Sequence, residues 1–155
     1  MNLDFKTLWN AHPTNKGNNE PCSTNGVSNF DNQCAIRMGV CLTNAGISTA
    51  SFSGARCYPG HGHNSVHILR AEELAKWMAM NTTPFGTVEK KNGVSSTDYA
   101  DRKGIVFFLN FWGRGSQGDH IDLWDGKKMC YGDPSYFSRA QSVWFWEVND
   151  VITQR

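Results

Sequence analysis

Two cysteines on one helical face carry the first chemical question in this chain. In NFDNQCAIRMGVCL, residues 29–42, Cys34 and Cys41 stand seven positions apart, about two turns of an α-helix. A cysteine near a helix start faces the positive end of the macrodipole and the backbone N–H groups of the first turn. Both favour thiolate over thiol. With Asp31 as N-cap, Cys34 falls at the third helical position, inside that field. The same N–H groups can hold an oxyanion when an acyl carbon is attacked. The competing reading is that Cys34 heads the apolar stripe it shares with Met38 and Cys41, and local pattern leans slightly toward packing.

A nucleophilic cysteine needs a base, and the base needs an orienting group. His120 opens HIDLW (120–124), an alternating strand that commits its ring to one face. Asp125-Gly126, read as a two-residue turn, pairs 124 with 127 and sets 131 opposite 120. That register puts Asp133 diagonally across on the face of His120, as the third member. Asp122 shares the same face by strand parity and is its rival; Asp125 belongs to the turn. The plain alternative is an exposed strand-end histidine among solvated carboxylates.

A second constellation is GHGHNSVH (60–67), with His61, His63 and His67. An H-x-H pair on a strand can share one metal. No acidic residue lies within the cluster, and Glu72 and Glu73 belong to the following helix. The favoured reading is a polar loop lending a histidine to a cleft, with no metal and no cofactor. The five cysteines (Cys22, Cys34, Cys41, Cys57, Cys130) are an odd number without a CxxC pair, a poor match to a structural zinc site or a disulfide scaffold. Six tryptophans raise the possibility of sugar stacking, yet Trp77, Trp112, Trp124, Trp144 and Trp146 all sit in patterned elements, where packing is the ordinary role.

Several elements must position these groups. Helices are predicted over 2–11, 32–45 and 70–80, the second closed by Gly46 in the left-handed position. Residues 14–29 and 47–67 read as loop. GIVFFLNFW (104–112) is a near-continuous apolar run, as expected of a strand covered on both faces. HIDLW, a return strand KKMCYGD (127–133) and a strand over 143–148 complete a meander. Helices first and strands after make an α+β layout. A chain of 155 residues with 39% hydrophobic content and no internal repeat reads as one domain, 1–155. Fifteen basic against fourteen acidic residues leave a net charge of +1, which gives no reason to expect nucleic acid. No segment approaches the length needed to span a bilayer. The first residues lack a basic stretch followed by an apolar run, so no secretory signal is expected.

These pieces, in this order, resemble a known family. LWNAHP, then PC at 21–22, NQCAIRMG, HILRAEELAKWM, GIVFFLNFW, HIDLW and VWFW together resemble the type VI secretion amidase effectors of the fourth family, over nearly the whole chain. NQCAIRMG with HIDLW is the most specific part. The resemblance implies a papain-like NlpC/P60 fold, in which the helix carrying the cysteine packs on an antiparallel sheet carrying the histidine. It also implies a cysteine amidase that cleaves peptidoglycan stem peptides between γ-linked D-glutamate and meso-diaminopimelate. Such a toxin is made in the cytoplasm, delivered by type VI secretion to the periplasm of a rival bacterium, and blocked by an immunity protein. Carried onto this chain, it makes Cys34 the nucleophile, His120 the base and later acid, and an aspartate after His120, assigned from the hairpin register as Asp133, the orienting group. Asn32, Gln33 and Asp122 are expected near the substrate. An oxidising destination would permit a disulfide among Cys22, Cys57 and Cys130, with Cys41 buried on its helix. The readings that compete with this one are a metal-dependent hydrolase built on His61, His63 and His67, and a non-catalytic wall-binding module.

Overall fold

Residues 104–109 of the apolar run form an inner strand of the sheet, and the alternation of their side chains divides the two main cores. The computed structural model describes residues 3–24, 27–28, 33–57, 67–110 and 119–150. Helix α1 (Phe5–Ala11) is followed by a 3-10 turn (Pro13–Lys16) and two short paired strands, β1 (Ser23–Thr24) and β2 (Val27–Ser28). Helices α2 (Cys34–Asn44), α3 (Ala71–Met80) and α4 (Thr82–Phe85) follow. The remainder comprises β3 (Glu89–Lys91), β4 (Gly104–Leu109), β5 (His120–Trp124), α5 (Tyr136–Arg139) and β6 (Ser142–Glu147). The main sheet is antiparallel with order β3-β6-β4-β5, so β5 is an edge strand. The class is α+β, as expected.

Register assigns the faces. Phe107 pairs with Ile121 on one side and Trp144 on the other, and Ile105 pairs with Leu123 and Trp146. Together they form the floor on which α1, α2 and α3 pack. Val106, Phe108, Val143 and Phe145 point the opposite way, onto Tyr99, Trp124 and Phe137. Burial on both faces explains why β4 reads as a continuous apolar run rather than an alternating one. Among the described residues, no helix is long and apolar enough to cross a membrane.

Helix α2 ends as its sequence predicts. Gly46 adopts φ +88°, Ile47 N donates to Leu42 O at 2.9 Å and Gly46 N to Thr43 O at 3.0 Å, the paired bonds of a Schellman cap. Its start differs from expectation. The N-cap is Gln33 and the helix begins at Cys34 itself, so the cysteine is the first helical residue rather than the third. Asp31 lies outside the described residues.

The hairpin after β5 also differs. The Asp125 carboxylate accepts from Lys127 N and Lys128 N at 2.8 and 2.7 Å, and Asp125 N donates to Lys128 O. This Asx-type turn widens the loop, so the partner of Trp124 is Met129 rather than residue 127. No strand follows: that one bridge is the only pairing of 127–133 with β5. The two-residue turn and the return strand are therefore corrected, and with them the register argument that placed Asp133 beside His120.

Candidate active site

Strand β5 presents His120 and Asp122 on one face, two residues apart. The Nε2 of His120 lies 2.8 Å from Asp122 Oδ2. The His120 ring lies over Phe108 and meets the edge of Tyr136, with centroids 6.2 and 5.2 Å apart. Helix α2 packs against β5, and the Cys34 thiol is hydrogen-bonded to the His120 side chain. Cys34 Sγ also lies 3.9 Å from Asp119 O. A cysteine at a helix start, a histidine and a carboxylate are thereby linked in series.

Asp122 is wholly buried, and its surroundings compensate for that. Oδ2 accepts from His120 and from the backbone N–H groups of Tyr131 and Gly132, at 3.1 and 2.9 Å. Oδ1 accepts from Leu123 N at 2.8 Å and lies 3.8 Å from His12 Nε2. Burial alone would raise the carboxyl's pKa, but the hydrogen bond and charge of His120, with help from His12 and Leu123, hold it below the ordinary range. For His120, burial alone would lower the pKa. Hydrogen bonds and charge from Asp122 and Cys34 outweigh it and raise the imidazole from 6.5 to about 9.

A cleft of about 620 Å³ opens on Cys34, lined by Leu69, Arg70, Glu72, Lys76 and Asp119 among others. Asp119 is buried; its carboxylate receives Asn110 N at 2.9 Å, tying the end of β4 to the start of β5.

Residues 30–146 match the model of a protein family described as type VI secretion system (T6SS), amidase effector protein 4. The chain belongs to this family. Among solved structures, it resembles the type VI effector Tae4 from Enterobacter cloacae with a TM-score of 0.71 at 19% identity, covering 96% of this chain and 98% of that one. It is also similar to a chain of the Tae4-Tai4 effector-immunity complex from Salmonella Typhimurium, with a TM-score of 0.70 at 19% identity, covering 94% and 97% of the two chains. A chain of the equivalent complex from Enterobacter cloacae gives 0.69 at 20% identity, covering 96% and 100%. No curated protein sequence matches it. The expected NlpC/P60-like fold is therefore the fold of this amidase effector.

Within that family frame, the structure distributes the sequence-predicted residues as follows. Cys34, His120 and Asp122 come together. Asp133 is exposed and its carboxylate accepts from Ser135 N at 2.9 Å, so Asp122, not Asp133, meets the histidine. Asp122 is wholly buried, with His120 hydrogen-bonded to it. Gln33, expected at the substrate, is fully buried; its Oε1 accepts from Cys22 N and its Nε2 donates to Cys22 O, at 2.9 and 3.1 Å. It is therefore a brace between two segments. Asn32, His61 and His63 lie outside the described residues. His67 is buried against Cys57. Cys41 is a core residue: it is wholly buried, donates to Leu8 O at 3.2 Å, and burial pushes its thiol pKa well up.

Two further groups, His12 and Arg37, surround Asp122 and the segment that bonds it. His12 is 1% exposed, its Nδ1 accepts from Thr14 N, and burial lowers its pKa from 6.5 to about 4 despite Asp122. It is thus a neutral ring whose Nε2 faces the carboxylate. Arg37, one turn after Cys34, donates to Asn19 O at 2.6 Å and lies 3.7 Å over the Tyr131 ring, next to the backbone that donates to Asp122. The signals were a His-Pro step after a helix and an arginine within an otherwise apolar helix segment; neither specifies a partner.

Proposed function

We propose that this amidase effector is a cysteine hydrolase of peptidoglycan stem peptides, cleaving between γ-linked D-glutamate and meso-diaminopimelate. The observation that carries the mechanism is the series Cys34–His120–Asp122, with a 2.8 Å hydrogen bond from His120 Nε2 to a buried, charge-holding carboxylate. With Nε2 engaged, Nδ1 is the ring nitrogen that exchanges a proton with the thiol. The Cys34 sulfur attacks the amide carbon while the N–H groups at the start of α2 stabilise the oxyanion. The His120 imidazolium, favoured by its raised pKa, protonates the leaving amine of diaminopimelate. The neutral ring then takes a proton from water, which attacks the thioester and frees Cys34. Asp122 positions the ring and stabilises its protonated form.

The cleft supports this substrate class. Arg70, Lys76, Glu72 and Glu73 line its wall, paired as Arg70–Glu73 and Lys76–Glu72, and charges of both signs suit a stem peptide that carries carboxylates and, on diaminopimelate, an ammonium group. Family membership supports delivery by type VI secretion. The Tae4–Tai4 complexes support an immunity protein as partner, and action in the target periplasm follows from where the substrate is.

The test is digestion of purified sacculi by wild type, Cys34→Ala and His120→Ala, with muropeptides resolved by mass spectrometry. Wild type should yield disaccharide-dipeptides. Cys34→Ala should yield none while keeping its fold, and His120→Ala should lose roughly 10²- to 10⁴-fold in rate. Cleavage that survives Cys34→Ala, or products cut at another bond, would overturn the reading.

A further inference from the structure

On the flank of α2 away from the main core, Ile36 packs with Cys22 and Cys57 in a small separate cluster. His67 joins them there. The sulfurs of Cys22 and Cys57 and a ring nitrogen of His67 all lie within 4.8 Å of one another, and all three residues are buried. Cys57 Sγ is 3.7 Å from His67 Nδ1. Ligand atoms around a tetrahedral zinc, at about 2.3 Å for sulfur and 2.0–2.1 Å for nitrogen, lie roughly 3.5–3.8 Å from each other.

The backbone holds two of these groups in fixed relation. Cys57 N donates to His67 O at 2.9 Å and Leu69 N to Ala55 O at 3.0 Å, with Arg56 bridged to Ile68 between them. His67 N also donates to Cys57 Sγ at 3.0 Å, a bond that strengthens when sulfur carries charge. The third group, Cys22, is clamped at both its N–H and C=O by the Gln33 side chain. The cluster therefore sits directly behind the N-cap of the nucleophile helix.

We propose that Cys22, Cys57 and His67 bind one zinc ion, which pins the segments around 22, 57 and 67 against the start of α2. Two thiolates and a neutral imidazole balance the ion's charge, so burial carries no net charge. This soft sulfur and imidazole set suits zinc and not magnesium or calcium. Binding forms two Zn–S bonds and one Zn–N bond and releases the two thiol protons. A cavity of about 260 Å³, lined by Val40, Thr43, Thr49, Arg56 and His67 among others, reaches the histidine, the side from which the ion and a fourth ligand would enter.

The test uses the whole chain, purified under reducing conditions and exposed to zinc, with metal content measured by plasma mass spectrometry. Wild type should hold equimolar zinc; Cys57→Ser and His67→Ala should lose it, and Cys130→Ser should retain it. Because a variant could fail to fold, wild type is also exchanged with Co²⁺, which should give intense sulfur-to-cobalt absorption. In parallel, zinc should shield Cys22 and Cys57 from alkylation until a chelator is added. No bound zinc, zinc retained by Cys57→Ser, or a peptide map joining Cys22 to Cys57 as a disulfide would each overturn the site. None of these readouts depends on amidase activity, so the outcome is independent of the proposed reaction.

Discussion

Asparagine at position 122 removes a charge while keeping the side chain's shape, and its consequences can be worked out atom by atom. His120 is held near 9 against the pull of burial largely by this carboxylate, 2.8 Å from Nε2. A hydrogen bond to a charged group is worth roughly 1.5–3 kcal/mol, which at 1.36 kcal/mol per pH unit is about one to two units. The alkaline limb of kcat/KM, set by loss of the imidazolium, should therefore move from near pH 9 toward about 7 to 8. The amide also cannot satisfy its neighbours. Oδ2 now accepts three donors and Oδ1 accepts Leu123 N, so one site must place an NH₂ against N–H groups. That mismatch should cost about 1–3 kcal/mol of stability. The assay is the pH profile of cleavage of a γ-D-glutamyl–diaminopimelate tripeptide by wild type, Asp122→Asn and Asp133→Asn, alongside an NMR titration of His120. Turnover by Asp122→Asn at pH 7 should fall roughly 10²- to 10⁴-fold, and Asp133→Asn should behave as wild type. An alkaline limb that stays near pH 9 in Asp122→Asn, or a larger loss in Asp133→Asn, would refute the reasoning.

Two further expectations follow from the same neighbourhood. A Cβ at position 132 would lie 2.9 Å from His120 Nε2 and 3.0 Å from Met129 Cε, so Gly132→Ala should displace the ring and lower kcat more than it raises KM in the tripeptide assay. His12 is lowered from 6.5 to about 4; between those values the unfolded chain binds more protons, so stability is lost as pH falls through that window, by on the order of 3 kcal/mol. His12→Asn can keep the bond from Thr14 N and should flatten that loss in urea unfolding at pH 7 and pH 5.

Legibility in the sequence followed the range of the interaction. The Schellman cap at Gly46, the amphipathic α3 and the doubly covered β4 depend on neighbours within a few residues or on burial alone, and all three were readable. His120 and Asp122 were placed on one face by strand parity, which is equally local. One failure was local side-chain chemistry and two depended on a longer reach. Asp125 turns its own carboxylate onto Lys127 and Lys128, and dipeptide statistics for a tight hairpin do not register that. Gln33 looked like a cleft residue because it adjoins Cys34, yet its amide is committed to Cys22, distant in sequence. The grouping of Cys22, Cys57 and His67 has no spacing signature at all, because three separate segments must fold before the ligands meet.

The missing return strand is itself part of the site. Had residues 127–133 continued as a β-partner of β5, their inward N–H groups would have been spent on β5 carbonyls, and Asp122 would have faced burial with only Leu123 N and His120 as donors. A wholly buried carboxylate on those terms would tend to neutralise by taking up a proton, and a neutral acid would no longer hold His120 charged. Instead, the chain leaves the sheet after Met129, and two successive N–H groups, from Tyr131 and Gly132, turn onto Oδ2. Arg37 lies over the Tyr131 ring, so the helix that carries the nucleophile also steadies the segment that keeps the carboxylate ionised. The edge position of β5 makes this possible: an inner strand would have its backbone paired on both sides and no room for a segment that pairs with a side chain instead. The departure from the hairpin predicted by sequence is thus what allows an aspartate two residues from the histidine, on the same strand, to serve as its partner.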